Sequence, residues 1–377
     1  MSPRTNGPKL DVSKLISDRS VKIIVCCGSG GVGKTTTAAS LALRAAEAGR
    51  KAVVLTIDPA RRLAQSMGLS ELDNTPRAVA GVDTSNGGSL DAMMLDMKRT
   101  FDEVVESHAN PEKAEQILAN PFYQALSSSF AGTQEYMAME KLGQLHAEAR
   151  AGGRWDLIVV DTPPSRSALD FLDAPERLSS FLDGRLIKIL VAPARGPARL
   201  LSTGMSLVTG AISKILGGQM LRDVQTFVAA LDTLFGGFRA RADKTYQILK
   251  DPQTAFVVVA SPDPDALREA AFFVERLREE RMPLAGLVLN RVTTPGPSTI
   301  SAQAAWAGAE RLEKDSKLTA ALLKLHAERS TRVTRERSLR RRFAAAHPTV
   351  ATASVAALST DVHDLASLRE VGGLLTA

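Results

Sequence analysis

Residues 28–35 read GSGGVGKT, and no other feature restricts the fold of this chain as tightly. They stand between VKIIVCC at 21–27, an apolar run of strand length, and TTTAASLALRAAEAG, whose spacing predicts a helix closing at Gly49. Gly28, Gly33, Lys34 and Thr35 satisfy the phosphate-loop pattern G-x-x-x-x-G-K-[ST] in the strand–turn–helix context that the pattern requires. Glycines let the backbone N–H groups of residues 30–35 turn toward phosphates, Lys34 adds a point charge on the β and γ groups, and Thr35 offers a hydroxyl to magnesium. A glycine turn that merely joins a strand to a helix has no need of the Lys-Thr pair. Gly28, Gly30 and Gly33 also match the dinucleotide fingerprint G-x-G-x-x-G, with Asp58 near the place of a ribose-binding acid. A dehydrogenase, however, has no use for Lys34 and Thr35, nor for a second acid after a later buried strand.

That second acid is Asp161, closing WDLIVVD at 155–161, where a Walker-B carboxylate holds magnesium and its waters. KAVVLTID ends at Asp58-Pro59, which is either a turn starter or, in a P-loop fold, a carboxylate facing the γ-phosphate that orients the attacking water. The catalytic reading is preferred, so Asp58 and Lys34 form the expected catalytic pair. The expected nucleotide-binding set is Gly30, Gly31, Val32, Gly33, Lys34, Thr35 and Thr36, with Asn290 and Arg291 from the end of PLAGLVLNRV at 283–292. Asn290 is placed either to pair with a base edge or to serve as a turn residue. Thr35 and Asp161 are the expected metal ligands, and ATP or ADP with Mg2+ the expected cofactors.

The same pattern of buried strands recurs in TAFVVVAS at 254–261 and PLAGLVLNRV, with PDPDALREAAFFVERLREER as an amphipathic helix between them. The expected fold is therefore α/β, a doubly wound, mainly parallel sheet. Residues 1–20 read as an N-terminal extension and 21–377 as a P-loop ATPase domain. Roughly 89–150 and 170–250 carry helical spacing and few β-branched runs, as in SLDAMMLDMKRTFDEVVESH, and predict an α-helical subdomain built from two insertions. After residue 293 the turn signal TTPGPS opens a helical segment, and HPTVATASVAAL supplies one more edge strand.

The only cysteines, Cys26 and Cys27, are strand neighbours that point to opposite faces, which disfavours a disulfide and fits a reducing cytosol. The N-terminus lacks the apolar run of a secretory signal, and no uninterrupted stretch is long enough to span a bilayer. A cytoplasmic protein, with peripheral membrane contact open, is the expectation. A net charge of +6 is too mild to imply nucleic acid.

GSGGVGKTTTAASLA, LTIDPARRLAQSMG, the GTQEYMAMEKL helix, WDLIVVDTPPSRSALDFLDAPERL and LVLNR follow one another from about residue 20 to about residue 295. Together they resemble the ArsA-type ATPases, a family that includes the arsenite-pump ATPase and the ATPase that targets tail-anchored membrane proteins. The chain is most similar to the actinobacterial ArsA-like ATPases that occur as sister pairs. The resemblance implies a SIMIBI-like P-loop fold and a nucleotide-driven dimer, either a homodimer or a hetero-oligomer with a sister ATPase. It also implies Asp58 in switch I, Asp161 to about Ser167 as switch II, Asn290 on adenine, and a hydrophobic or membrane-protein client. The family's usual GKGGVGKT carries a signature lysine that reaches the other subunit's phosphates, and here that place is Ser29. The usual DTAPTGHT is DTPPSRSA, without the histidine. Neither a dimer-bridging CxxC nor metalloid-binding cysteines are present, so the arsenical-pump reading loses its ligands. Without the lysine, Arg61, Arg62 or Arg166 would have to supply the missing cation, and a slow regulatory subunit stands as the alternative to a hydrolytic ATPase.

Two basic stretches remain. Between Gly184 and Arg222 cations interrupt an apolar background, which reads either as a helical core with solvated edges or as a client or membrane surface made adaptable by Met93, Met94, Met97, Met205 and Met220. Arg329, Arg332, Arg335, Arg337, Arg340, Arg341 and Arg342 predict a solvated helix; nucleic acid is not the expected partner, because only Phe343 is near as an aromatic, and a DNA-partition ATPase is the weaker alternative.

Overall fold

The computed structural model describes residues 7–58, 62–121, 123–124, 127, 133–163, 240–296 and 298–377. Its frame is an eight-stranded sheet: β1 (Ile23–Cys27), β2 (Lys51–Thr56), β3 (Arg77–Ala78), β4 (Ser89–Met94), β5 (Leu157–Asp161), β6 (Thr254–Ala260), β7 (Leu284–Val292) and β8 (Thr352–Ala356). The strand order is β3-β4-β2-β5-β1-β6-β7-β8, and every pairing is parallel except that of the short edge strand β3 with β4. β1, β5 and β6 are buried along their whole length, as expected for strands covered on both faces.

Among the described residues, helices surround or extend this sheet: α1 (Val12–Ser17), α2 (Lys34–Glu47), α3 (Arg62–Ser66), α4 (Met97–His108), α5 (Pro111–Leu118), α6 (Thr133–Gly152), α7 (Pro264–Glu279), α8 (Ala302–Leu312), α9 (Lys317–Ala346) and α10 (Leu365–Thr376). Residues 240–250 are also helical. The P-loop helix α2 is rich in alanine and buried on most of its circumference, because α10 lies against it and contributes Leu368, Val371 and Leu375 to the same core. Residues 7–20, read from sequence as an extension, are part of that core: Leu10, Val12 and Ile16 are buried, and Leu10 N–H donates to the Thr352 carbonyl.

Several expectations change. Residues 89–94 are not helical but form β4, paired in parallel with β2 over all six residues. Asp and Ala are poor strand formers, so pairing and burial of Leu90, Ala92 and Met93 decide the state rather than intrinsic preference. The first inserted helical segment therefore starts at α4. Met93 is fully buried in the sheet and so is no part of a client surface, while Met94 and Met97 are half-buried against the core. Met205, Met220, the stretch from Gly184 to Arg222 and most of the second insertion lie outside the described residues.

What is described of the helical part is tied together by polar contacts. Lys141 of α6 pairs with Glu103 of α4 at 3.0 Å, and the buried Glu140 accepts Nε of Arg241 at 2.9 Å, joining α6 to helical residues 240–250. Tyr123 packs edge-on against Phe101, with ring centroids 5.5 Å apart.

Candidate active site

In an open parallel sheet, ligands bind beyond the carboxyl ends of the strands, near the place where the strand order reverses. Here those ends carry the P-loop after β1, Asp58 after β2, Asp161 closing β5, Pro262 after β6, Asn290 and Arg291 on β7, and the segment 356–363 after β8. They enclose a cavity of about 1310 Å³ lined by Gly30, Gly31, Gly33, Lys34, Thr35 and Thr36 of the loop and by Asp58, Asn290, Arg291 and residues of the 356–363 segment.

The loop has its shape because two glycines allow it. A β-carbon on Gly28 would lie 2.1 Å from the Val259 carbonyl oxygen of β6, and Gly33 takes a left-handed φ of 95° at a point where a β-carbon would meet the Asn290 amide at 2.2 Å. Gly33 is also the N-cap of α2, with no side chain capping the first turn and no acid within it. The free N–H groups at that helix start face the cavity and favour an anion. Val32 is buried, and its carbonyl accepts Asn290 Nδ2 at 2.9 Å, while Arg291 Nη1 donates to the Gly31 carbonyl at 3.1 Å. A register shift in β7 between Leu289 and Val292, with Arg291 in left-handed backbone at φ 58°, turns both side chains toward the loop.

Lys34 is buried and donates from Nζ to the Ser29 carbonyl at 2.8 Å. Burial pulls its pKa down, and the nearby Asp161 carboxylate pulls it back up. Asp161 is fully buried, and burial raises its carboxyl to about 6, against the lowering effect of the Thr35 and Thr56 hydroxyls and of Lys34. Thr56 Oγ1 donates to Oδ2 at 2.9 Å, whereas Oδ1 is buried and accepts no hydrogen bond. An orphaned carboxylate oxygen beside the Thr35 hydroxyl fits a divalent cation that completes its shell with water and phosphate oxygens. Among the described residues no group of three His, Cys, Asp or Glu side chains forms a protein-only cage.

Cys26 and Cys27 are buried thiols, Cys27 pushed up to about 12 by burial, and neither is a reactive thiolate. Of the candidate substitutes for the missing lysine, Arg61 and Arg166 lie outside the described residues, as does switch II beyond residue 163.

The family model for the anion-transporting ATPases, ArsA ATPase, matches residues 21–312. The chain belongs to that family. Family relatives include "ATPase GET3" of Podospora anserina, 28% identical over 291 residues that cover 76% of this chain and 78% of that protein. The "ATPase ASNA1 homolog" of Cryptosporidium parvum is 27% identical over 75% of this chain and 69% of its own length, and "ATPase ASNA1 homolog 2" of Paramecium tetraurelia is 23% identical over 75% and 80%. This anion-transporting ATPase family member is an ATPase, as its P-loop predicts. Among its described residues no helix is long and apolar enough to cross a membrane.

The family match ends at residue 312, yet the cavity wall does not. Arg332, Arg335 and Glu336 of α9 and residues 355–363 line the same cavity as the P-loop. Nothing in the linear spacing joins this late segment to a loop three hundred residues earlier; the pairing of β8 with β7 and the Glu336 bonds to Thr293 do.

Proposed function

We propose that this ATPase binds Mg-ATP in the cavity over the P-loop and uses its hydrolysis to switch the helical part, which serves a hydrophobic or membrane-protein client. The carrying observation is an uncapped helix start and a buried lysine at one cavity, with the buried Asp161 carboxylate and its orphaned oxygen directly behind Lys34 and Thr35. Lys34 holds phosphate charge, and Thr35 with Asp161 would hold Mg2+, which supplies charge neutralisation of the phosphates when bound. Asp58 borders the cavity from the end of β2 and orients the attacking water. Asn290 braces the loop through one N–H and accepts the Arg291 N–H on Oδ1, which leaves one amide N–H and one lone pair of the side chain for an adenine edge.

Ser29 favours a second element of the proposal. A homodimer cannot deliver a lysine that the chain lacks, so the ATPase works slowly alone and faster beside a sister chain that keeps the lysine. Cations supplied in trans are worth about 10³–10⁵ in rate in other P-loop systems. The basic helix offers less to nucleic acid, since Arg329 is bonded to Thr294 and Arg340 to Ser354.

The test is capture from the native cell with the Asp58→Asn chain held in ATP, followed by mass spectrometry and by turnover assays with the captured chain. A sister ATPase that stimulates turnover, together with apolar-segment clients, is the expected result. Full activity of the chain alone, with no such partner retained, would contradict the pairing.

A further inference from the structure

We propose that Arg332 and Arg335 of α9 form the outer wall of the nucleoside end of the ATP cavity, their guanidinium planes lying against the purine and ribose. The inference rests on the ATP reading above and adds to it the residues that hold the base. Sheet topology sets the direction of the nucleotide. The P-loop follows β1, Asp58 lies on the β2 side, and β7 and β8 lie on the other. With phosphates on the loop and the γ group toward Asp58, the nucleoside runs toward β7 and β8. Three strand spacings separate β1 from β8, about 14 Å, the reach of a nucleoside with its α-phosphate. The walls change character along that path. Lys34, Thr35 and Asp58 line the phosphate end, whereas Ala356, Leu358, Val362 and Val371 give the β8 end an apolar wall, bordered by the polar Thr360, Asp361 and His363.

α9 is fixed to this end through Glu336. Its buried carboxylate accepts the Thr293 N–H at 2.8 Å and the Thr293 hydroxyl at 2.6 Å, and Thr293 is three residues beyond Asn290. Arg332 lies one helical turn before Glu336 and so shares its face, and Arg335 precedes it directly. Both line the cavity and are exposed, and neither makes a salt bridge among the described residues. Arg329 and Arg340 on the same helix are instead engaged with Thr294 and Ser354. Guanidinium planes stack on aromatic faces and donate to hydroxyls, which suits a base and a ribose at the open side of an apolar wall.

The experiment measures binding of ATP and of inorganic tripolyphosphate, each with Mg2+, to the full chain by calorimetry. The variants are the double Arg332→Gln/Arg335→Gln, the double Arg332→Lys/Arg335→Lys, and Lys34→Ala. Because both arginines are exposed, the double variants keep the ligand-free thermal midpoint. The Gln pair is expected to weaken ATP about tenfold while changing tripolyphosphate by less than about twofold, as loss of guanidinium stacking and ribose hydrogen bonds predicts. The Lys pair keeps the charge but not the plane and loses most of the same affinity, and Lys34→Ala weakens both ligands. Unchanged ATP affinity in the Gln pair, equal loss of both ligands, or full ATP affinity in the Lys pair would overturn the inference. A wild-type chain that binds neither ligand would instead overturn the ATP reading beneath it.

Discussion

Asn290 at the end of β7 donates its amide N–H to the Val32 carbonyl at 2.9 Å, one residue before the left-handed turn at Gly33. The hydrogen bond is buried and joins parts of the chain 258 residues apart. Asn290→Ala leaves the Val32 carbonyl without its partner, which costs about 1–3 kcal/mol in a buried setting. Urea unfolding should register a loss of that size. Tripolyphosphate affinity should fall as well, with a larger fall for ATP; wild-type stability in the variant would remove the brace.

Arg50 is a buried cation remote from the cavity. It donates to Asp156 through Nε and to the carbonyls of Ile16, Asp18, Val21 and Asp156, so it pins the chain before β1 to the start of β5. Five donors in a planar fork are what this set needs, and lysine cannot supply them. Arg50→Lys and Arg50→Ala should both destabilise, the alanine variant by about 3–5 kcal/mol, because the Ile16, Val21 and Asp156 carbonyls lose this donor and the Asp156 carboxylate is left with the exposed Arg19 alone. Chemical denaturation that shows less than about 1 kcal/mol for the alanine variant would contradict this role.

The carboxyl of Asp161 is raised to about 6 by burial, from an ordinary value of 3.8. Between those values the folded chain binds more protons there than the unfolded chain does. Stability of the chain without nucleotide and Mg2+ therefore falls as pH rises through this window, by an amount on the order of 2–3 kcal/mol. Asp161→Asn should abolish that contribution and flatten the profile of unfolding free energy between pH 4 and pH 6, measured against wild type. Superimposable profiles would show that the carboxyl titrates normally.

The P-loop and its strand were legible because their pattern is local: eight consecutive residues between an apolar run and a helix. β5, β6 and β7 were legible too, since strands buried on both faces are apolar throughout. β4 was not, because SLDAMM carries no β-branched or aromatic residue and becomes a strand through pairing with β2. Residues 7–20 carry only Leu10, Val12 and Ile16 into the core, too few to mark them as part of the domain. Arg332 and Arg335 resemble any solvated helical arginines until β8 pairs with β7 and α9 is fastened to Thr293. Asn290 stood between a base contact and a turn residue; its hydrogen bond to the loop is a third role, visible only with both segments in place.

The central claim, that ATP is bound and hydrolysed at this cavity, is tested most directly by measuring thermal stability and phosphate release together in wild type, Lys34→Ala and Asp58→Asn. Mg-ATP at one hundred times its Kd should stabilise the wild-type chain by about 2.7 kcal/mol. Lys34→Ala should lose most of this shift, and Asp58→Asn should keep it while turnover falls by about 10²–10⁴-fold, the usual worth of a group that manages the attacking water. Equal shifts in wild type and Lys34→Ala, or undiminished phosphate release by Asp58→Asn, would contradict it.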